Sequence, residues 1–200
     1  SSTAFDARGR LLARVDERHC QRFATVDPAG TSAEKASEQR GRAASWSVAQ
    51  IWEQPRAREL SAMLILRHVV RKRVGFDGLC KLLRETHAAW TPAKMYIENE
   101  RLGQAAVDVL GRELPLKAIA TGGRDKLTRA APLIAKLERG EVLLPRYNNS
   151  WRADLEAEWL SWTGLDDATT DQIDAAAYAV HVSRQRSRAI VRVQPLVVGR

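Results

Sequence analysis

Cysteine is scarce in this 200-residue chain. Cys20 and Cys80 are the only two, too few for a disulfide framework or a zinc site of ordinary spacing, and in keeping with a reducing cytoplasm. No run is long and apolar enough to span a bilayer, so no membrane role is expected. The Ser-Ser-Thr start gives no sign of a secretory leader, and a first residue other than Met fits a processed or excised piece. A Gly-x-x-x-x-Gly-Lys-Ser/Thr phosphate loop is missing too. The nearest string, Thr121 to Lys126, has the wrong spacing, so no NTPase is encoded in these residues. There is neither an internal repeat nor a low-complexity tract.

What is present suits one globular domain with its own core. Lys and Arg number 32 against 24 Asp and Glu, a net charge of +8. That excess favours a polyanionic partner, since each neutralised phosphate releases condensed counterions. Residues 1–21 alternate charge with short apolar pieces and are expected to form a peripheral extension. Residues 22–188 carry the domain, and 189–200 form a C-terminal tail whose place is open.

Arg22 to Val26 reads as a strand stopped by Asp27-Pro28, and 28–43 as a loop. Ser45 to Trp52 alternates like a strand with one covered face, and Ala62 to Val70 is a third apolar run; together they suggest an antiparallel meander. The period then changes. Phe76, Leu79, Leu82, Leu83 and Trp90 keep helical spacing up to Thr91-Pro92. Strands are expected at 94–98 and 116–120, and helices at 103–110, 125–139 (closed by Gly140), 151–162 and 170 to about 187. A meander followed by strand–helix alternation predicts an α/β fold: a mixed sheet, antiparallel and parallel, flanked by helices.

Acidic residues stand at telling places in this basic chain. Asp27 ends one apolar strand and Glu98 another, where a rigid ladder fixes a carboxylate and the loop beyond admits substrate. Thr169 with Gln172 fits a capping box, placing Asp171 and Asp174 on one face of the last long helix. Acids from separate elements can converge on hard cations, and oxygen-only ligands suit Mg²⁺ or Mn²⁺, two of which can serve phosphodiester hydrolysis. Each acid also has a structural reading. Asp27 before Pro is a common strand-to-turn residue, and Asp171 favours the helix dipole.

Five pieces, in order, carry a resemblance: Asp27-Pro28-Ala29; Ile97-Glu98 with Gly103; Gly123 and Lys126 through Arg129; Gly140-Glu141-Val142-Leu143-Leu144-Pro145; and Asp171-Gln172-Ile173-Asp174-Ala175. This series resembles the C-terminal nuclease domain of tailed-phage large terminase subunits, from Phe23 to about Val182. The resemblance implies an RNase H-like fold, two metal ions, and endonucleolytic cutting of concatemeric double-stranded DNA in the cytoplasm of an infected or prophage-carrying host. It also implies an ATPase motor domain, a portal and a small terminase subunit as partners. Asp27 and Glu98 fall on the first and second acidic positions. Where the family shows Asp-Asp-x-x-Asp, this chain has Thr170 in place of the first Asp. Asp171 therefore becomes the third catalytic ligand and Asp174 its helper, with Asp166, Asp167 and Glu100 as alternatives.

Lys126 and Arg129, together with Arg124, lie at a helix start after Gly122-Gly123, where cations and backbone N–H groups can both face DNA phosphate. The structural reading makes them a solvated helix face. Arg71, Lys72 and Arg73 form a second basic patch. Trp46, Trp52, Trp151, Trp159 and Trp162 are expected to pack rather than stack on bases, and His181 to be structural. Competing functions are another RNase H-like nuclease, such as a Holliday-junction resolvase, a transposase core or an RNase H, and a non-catalytic DNA-binding or assembly module.

Overall fold

The computed structural model describes residues 2–5, 11–28, 46–120, 125–145, 150–164 and 170–192, with side-chain environments from residue 15 to residue 185. Its centre is the expected meander: β3 (Cys20–Asp27), β4 (Ser47–Pro55) and β5 (Leu64–Lys72), each antiparallel to the next. Asp27 pairs with Val48, and Val48 with Arg71, so these residues lie at the same end of the three strands.

Helix α1 (Phe76–Trp90) follows, its apolar residues at helical spacing. It stops at Thr91, whose φ of 43° is the left-handed conformation that ends helices, just before Pro92. Next come β6 (Met95–Glu98), α2 (Arg101–Leu110), β7 (Leu116–Ile119), α3 (Lys126–Glu138), β8 (Val142–Leu143), α4 (Arg152–Ser161) and α5 (Asp171–Arg192). The six-stranded sheet runs β7-β6-β3-β4-β5-β8, with β6 parallel to β3, β7 parallel to β6, and β8 parallel to β5. The mixed sheet with flanking helices is therefore present. Glycine closes α3 as expected, Gly140 taking a φ of 67°.

Two expectations need correcting. All nine residues of β4 are buried, so both faces of that strand are covered, not one. The strand lies in the middle of the sheet, and its small residues Ser47 and Ala49 leave room for a helix layer on the side that looked open. The last helix also runs to Arg192, beyond the stop expected near 187.

Period-2 alternation divides the core in two. Ala24, Val26, Ala49, Ile51, Met95 and Ile97 face α1 and α2, where Leu79, Leu82, Leu83, Ala106 and Leu110 seal that side. Phe23, Val48, Trp52, Leu66 and Tyr96 face the other way, against Leu133 of α3, Leu155 of α4 and Ile173, Ala176 and Tyr178 of α5. Each fully buried leucine contributes about 2 kcal/mol of transfer free energy. At the end of β3 and β4 remote from Asp27, buried Glu53 is paired with Arg22 at 2.5 Å and Arg67 at 3.7 Å. Near the start of the chain, β1 (Ser2–Phe5) and β2 (Leu11–Val15) form a separate two-stranded sheet. Val15 packs with Cys20 and Ile65 in a third small cluster.

Candidate active site

Parallel pairing of β3 with β6 sets Val26 beside Ile97, so Asp27 and Glu98 are the next residues of adjacent strands. Both are buried, at 7% and 5% exposure, on the face covered by α5. That helix brings Asp171 and buried Asp174 to the same region from its first turn. The surroundings of Asp27 show the convergence. Burial raises its pKa well above the usual carboxylate range; the negative charges of Asp174, Glu98 and Asp171, and a hydrogen bond shared with Glu98, raise it further. Burial also raises Asp171 and Asp174, although Trp46 and Arg71 oppose the shift at Asp171, and Arg129 and Lys126 at Asp174.

The two strand-end acids are held from several sides. A Cβ at Gly103 would stand 1.8 Å from the Glu98 carbonyl oxygen, so only glycine lets α2 lie this close behind β6. The Ile-Glu-x-x-x-x-Gly spacing thus has a packing cause. Tyr178, one turn beyond Asp174, is buried against the acids. Burial, then Asp27, Glu98 and Asp174, push its phenol far up, so it stays protonated.

The start of α5 is fixed by a side chain the sequence did not single out. Glu158, on α4, accepts hydrogen bonds from the Gln172 N–H at 2.7 Å and the Ile173 N–H at 3.3 Å, while its other oxygen accepts from Gln172 Nε2 at 2.8 Å. It caps α5 from outside, satisfying donors that a helix N-terminus leaves open. Arg71 approaches the same carboxylate at 3.5 Å. From the sheet, Gln50 Nε2 donates to the Gln172 carbonyl at 2.8 Å, and the Trp46 N–H donates to Asp171 at 3.3 Å. Gln50 interrupts an apolar alternation, which was the available signal; nothing local marks Glu158. The Thr170 hydroxyl donates to Asp174 at 3.1 Å. Thr169, Asp166 and Asp167 lie outside the described residues, and Glu100 is an exposed residue at the start of α2.

Of the expected DNA-binding cations, Lys126 and Arg129 are half-buried. Asp125 caps α3 by accepting from Thr128 N at 2.8 Å, which starts the helix so that its first turn faces the acids. Arg129 Nη2 lies 3.0 Å from Asp174, and Nη1 lies 3.7 Å from Glu98. Lys126 is half-buried and close enough to lower the pKa of both Asp171 and Asp174. Arg124 lies outside the described residues. At the rim, the guanidinium carbons of Arg71 and Arg73 sit 4.4 Å and 4.3 Å from the Trp46 ring centre. Trp52 is fully buried, and Trp46, Trp159 and Trp162 pack against the core. His181 is exposed and pairs with Gln185.

The donor set, all carboxylate oxygen, fits Mg²⁺ or Mn²⁺ and does not fit soft metals. As placed, no three Asp, Glu, His or Cys side chains among the described residues are close enough to hold one ion. The guanidinium of Arg129 lies between Glu98 and Asp174.

No protein-family pattern and no curated protein matches the sequence. Solved structures do match in shape. The human cytomegalovirus terminase nuclease domain, soaked with Mn, has a TM-score of 0.54 at 11% identity over 89% of this chain and 90% of that one. The large terminase nuclease of thermophilic phage G20c gives 0.53 at 11%, covering 86% and 87%. A yeast mitochondrial Holliday junction resolvase gives 0.51 at 12%, covering 86% and 82%. At such identities the likeness is one of architecture, and that architecture is the RNase H-like fold.

Proposed function

We propose that the chain is a metal-dependent DNA endonuclease and, within that class, the nuclease domain of a phage large terminase that cuts concatemeric double-stranded DNA during packaging. One observation carries the reading: acids from two adjacent parallel strands and a helix N-terminus meet on one face of an RNase H-like sheet, in a chain of net charge +8. Neighbours of the same architecture include two terminase nucleases, one of them soaked with Mn.

Asp27, Glu98, Asp171 and Asp174 would hold two Mg²⁺ or Mn²⁺ ions. Such ions would supply Lewis acidity, lowering the pKa of water and neutralising charge on the phosphate and departing 3′-oxygen. The chain's own contribution is placement. β3 and β6 fix the first two carboxylates, and Glu158 and Gln50 fix the helix that brings the other two. Thr170, standing where the terminase pattern has Asp, orients Asp174 instead of ligating. Tyr178 keeps its proton and offers a donor beside Glu98. Lys126 and Arg129, and by its place in the sequence Arg124, would meet duplex phosphate once DNA enters the site, and the Arg71–Trp46–Arg73 rim extends that basic surface. Phosphate contacts carry no sequence information, which suits a cut whose position is set by how much DNA has been packaged. In that role the domain works in the host cytoplasm with an ATPase motor, portal and small subunit.

Plasmid nicking with Mg²⁺, Mn²⁺ or EDTA, on wild type and Asp27→Asn, tests the reading. Wild type should cut duplex DNA only with a divalent ion, and the variant should not cut. Duplex binding without cleavage under every metal condition would make the chain a binding module instead. A strong preference for four-way junctions over linear duplex would move it to the resolvases, the class of one structural neighbour.

A further inference from the structure

Arg129 carries an inference that rests on the nuclease reading and deepens it. Its guanidinium bridges acids from two different elements, Glu98 on β6 and Asp174 on α5, while its own backbone belongs to α3. The side chain is only 18% exposed. Its Nε is buried without a hydrogen-bond partner, so the fork is spent on the carboxylates at the cost of one unpaired donor. Burial works against the charge on Arg129, yet Asp174, Tyr178, Glu98 and Asp27 outweigh it and hold the guanidinium firmly protonated.

We infer that Arg129 is the internal counter-cation of the acidic site, occupying the oxygens a divalent ion needs and leaving them for a DNA phosphate when substrate arrives. The chemistry is competitive. Asp174 Oδ1 accepts a hydrogen bond from Arg129 Nη2 at 3.0 Å and Glu98 Oε1 lies 3.7 Å from Nη1, and an ion binding either oxygen must displace that contact. Removing the guanidinium without replacement would leave buried carboxylates to repel one another, so the arginine stabilises the fold before ions bind. A phosphodiester offers two acceptor oxygens that match the planar guanidinium fork, in place of one oxygen from each carboxylate. Metal loading and DNA binding are thereby coupled through one side chain, since each helps the other by giving Arg129 somewhere to go.

Calorimetric titration of Mn²⁺ into wild type and Arg129→Ala, with and without a short phosphorothioate duplex that resists cleavage, tests this without using activity. Free Arg129→Ala should bind Mn²⁺ about tenfold more tightly than wild type, since one charge-assisted contact no longer opposes loading. The duplex should raise the Mn²⁺ affinity of wild type by a larger factor than that of Arg129→Ala. The variant should also melt lower than wild type in EDTA and recover when saturated with Mn²⁺. If Arg129→Ala proves too unstable to titrate, Arg129→Gln and Arg129→Lys serve, the first expected to behave like alanine and the second to fall between it and wild type. Equal or weaker Mn²⁺ binding by a folded variant overturns the counter-cation, while metal-dependent cleavage by wild type leaves the nuclease reading standing. Equal duplex enhancement in both proteins overturns the phosphate exchange. Failure of both proteins to bind Mn²⁺ at millimolar concentration overturns the inference and the nuclease reading together.

Discussion

The two faces of the central sheet are made from the same strands, one packed with apolar side chains and the other setting polar groups among them. Under α1 and α2, β3 and β4 present Ala24, Val26, Ala49 and Ile51 to a layer of leucines. Under α3, α4 and α5 the intervening residues include Thr25, Asp27 and Gln50, and the helices add buried Glu158, Gln172 and Asp174. A strand's period of two makes this division possible, because every second residue can be spent on stability without touching the residues between. The apolar face holds the ladder still, and the polar face uses the ladder's rigidity to aim carboxylates. At the far end of the apolar side, buried Glu53 is paired with Arg22.

The sharpest way to break this comparison is to disable each face separately. Glu98→Gln should cut the cleavage rate about a thousandfold, the loss of several kcal/mol of metal-derived stabilisation, with little change in melting. Leu82→Ala should do the reverse. It should cost about 2–5 kcal/mol in denaturant unfolding yet leave cleavage nearly unchanged where the protein is folded. A folded Leu82→Ala that no longer cuts would show that the faces are not independent.

Gly103→Ala probes a place where a helix of the apolar face presses on the strand that carries Glu98. The new methyl must displace the Glu98 carbonyl, which should cost about 1–3 kcal/mol and slow cleavage at least tenfold. Unchanged kinetics would mean that β6 can shift without moving its carboxylate. Glu158→Ala leaves two amides of α5 without their acceptor, for about 1–3 kcal/mol and a 10- to 100-fold loss of cleavage; Glu158→Gln should restore part of both. Full activity in a destabilised Glu158→Ala would separate the cap from the acids it positions.

The smallest effect belongs to a carboxylate just past the end of α3. A hydrogen bond from Arg139, then Lys136, hold the Glu141 carboxyl at about 2, against an ordinary 4.5. A lowered carboxylate pKa means that the unfolded chain takes up the proton first. The stability is therefore complete above 4.5 and lost as pH falls toward 2. Discounted for solvent screening, it is worth about 1 kcal/mol, and Glu141→Gln should flatten that part of a stability-against-pH curve.

The meander and its strand-end acids were legible because short apolar runs stop abruptly at Asp27-Pro28 and Glu98. The helices after them were legible through spacing and through stop signals at Thr91-Pro92 and Gly140. What the sequence hid depends on contacts between distant elements. Ser47 and Ala49 look solvent-facing until a helix is laid over them. Glu158 looks like any acid on a short helix until the start of α5 arrives beside it. Arg129 follows glycines at a helix start, a position suited to phosphate, and only the approach of α5 to α3 turns it toward Asp174. Lys126 is turned the same way.

A helix is a screw, and the cap supplied by Glu158 sets its phase. Each residue advances α5 by about 100°, so a slip of a single position would rotate Asp171 and Asp174 away from the sheet. Glu158 grips two successive N–H groups, Gln172 and Ile173, while Gln50 grips the Gln172 carbonyl from the strand side. Held at consecutive positions from two directions, the helix can neither turn nor slide without breaking both grips. The connection between α4 and α5 can therefore vary in length at little cost to the site, because angular register is set where the helix begins and not by the chain that leads to it.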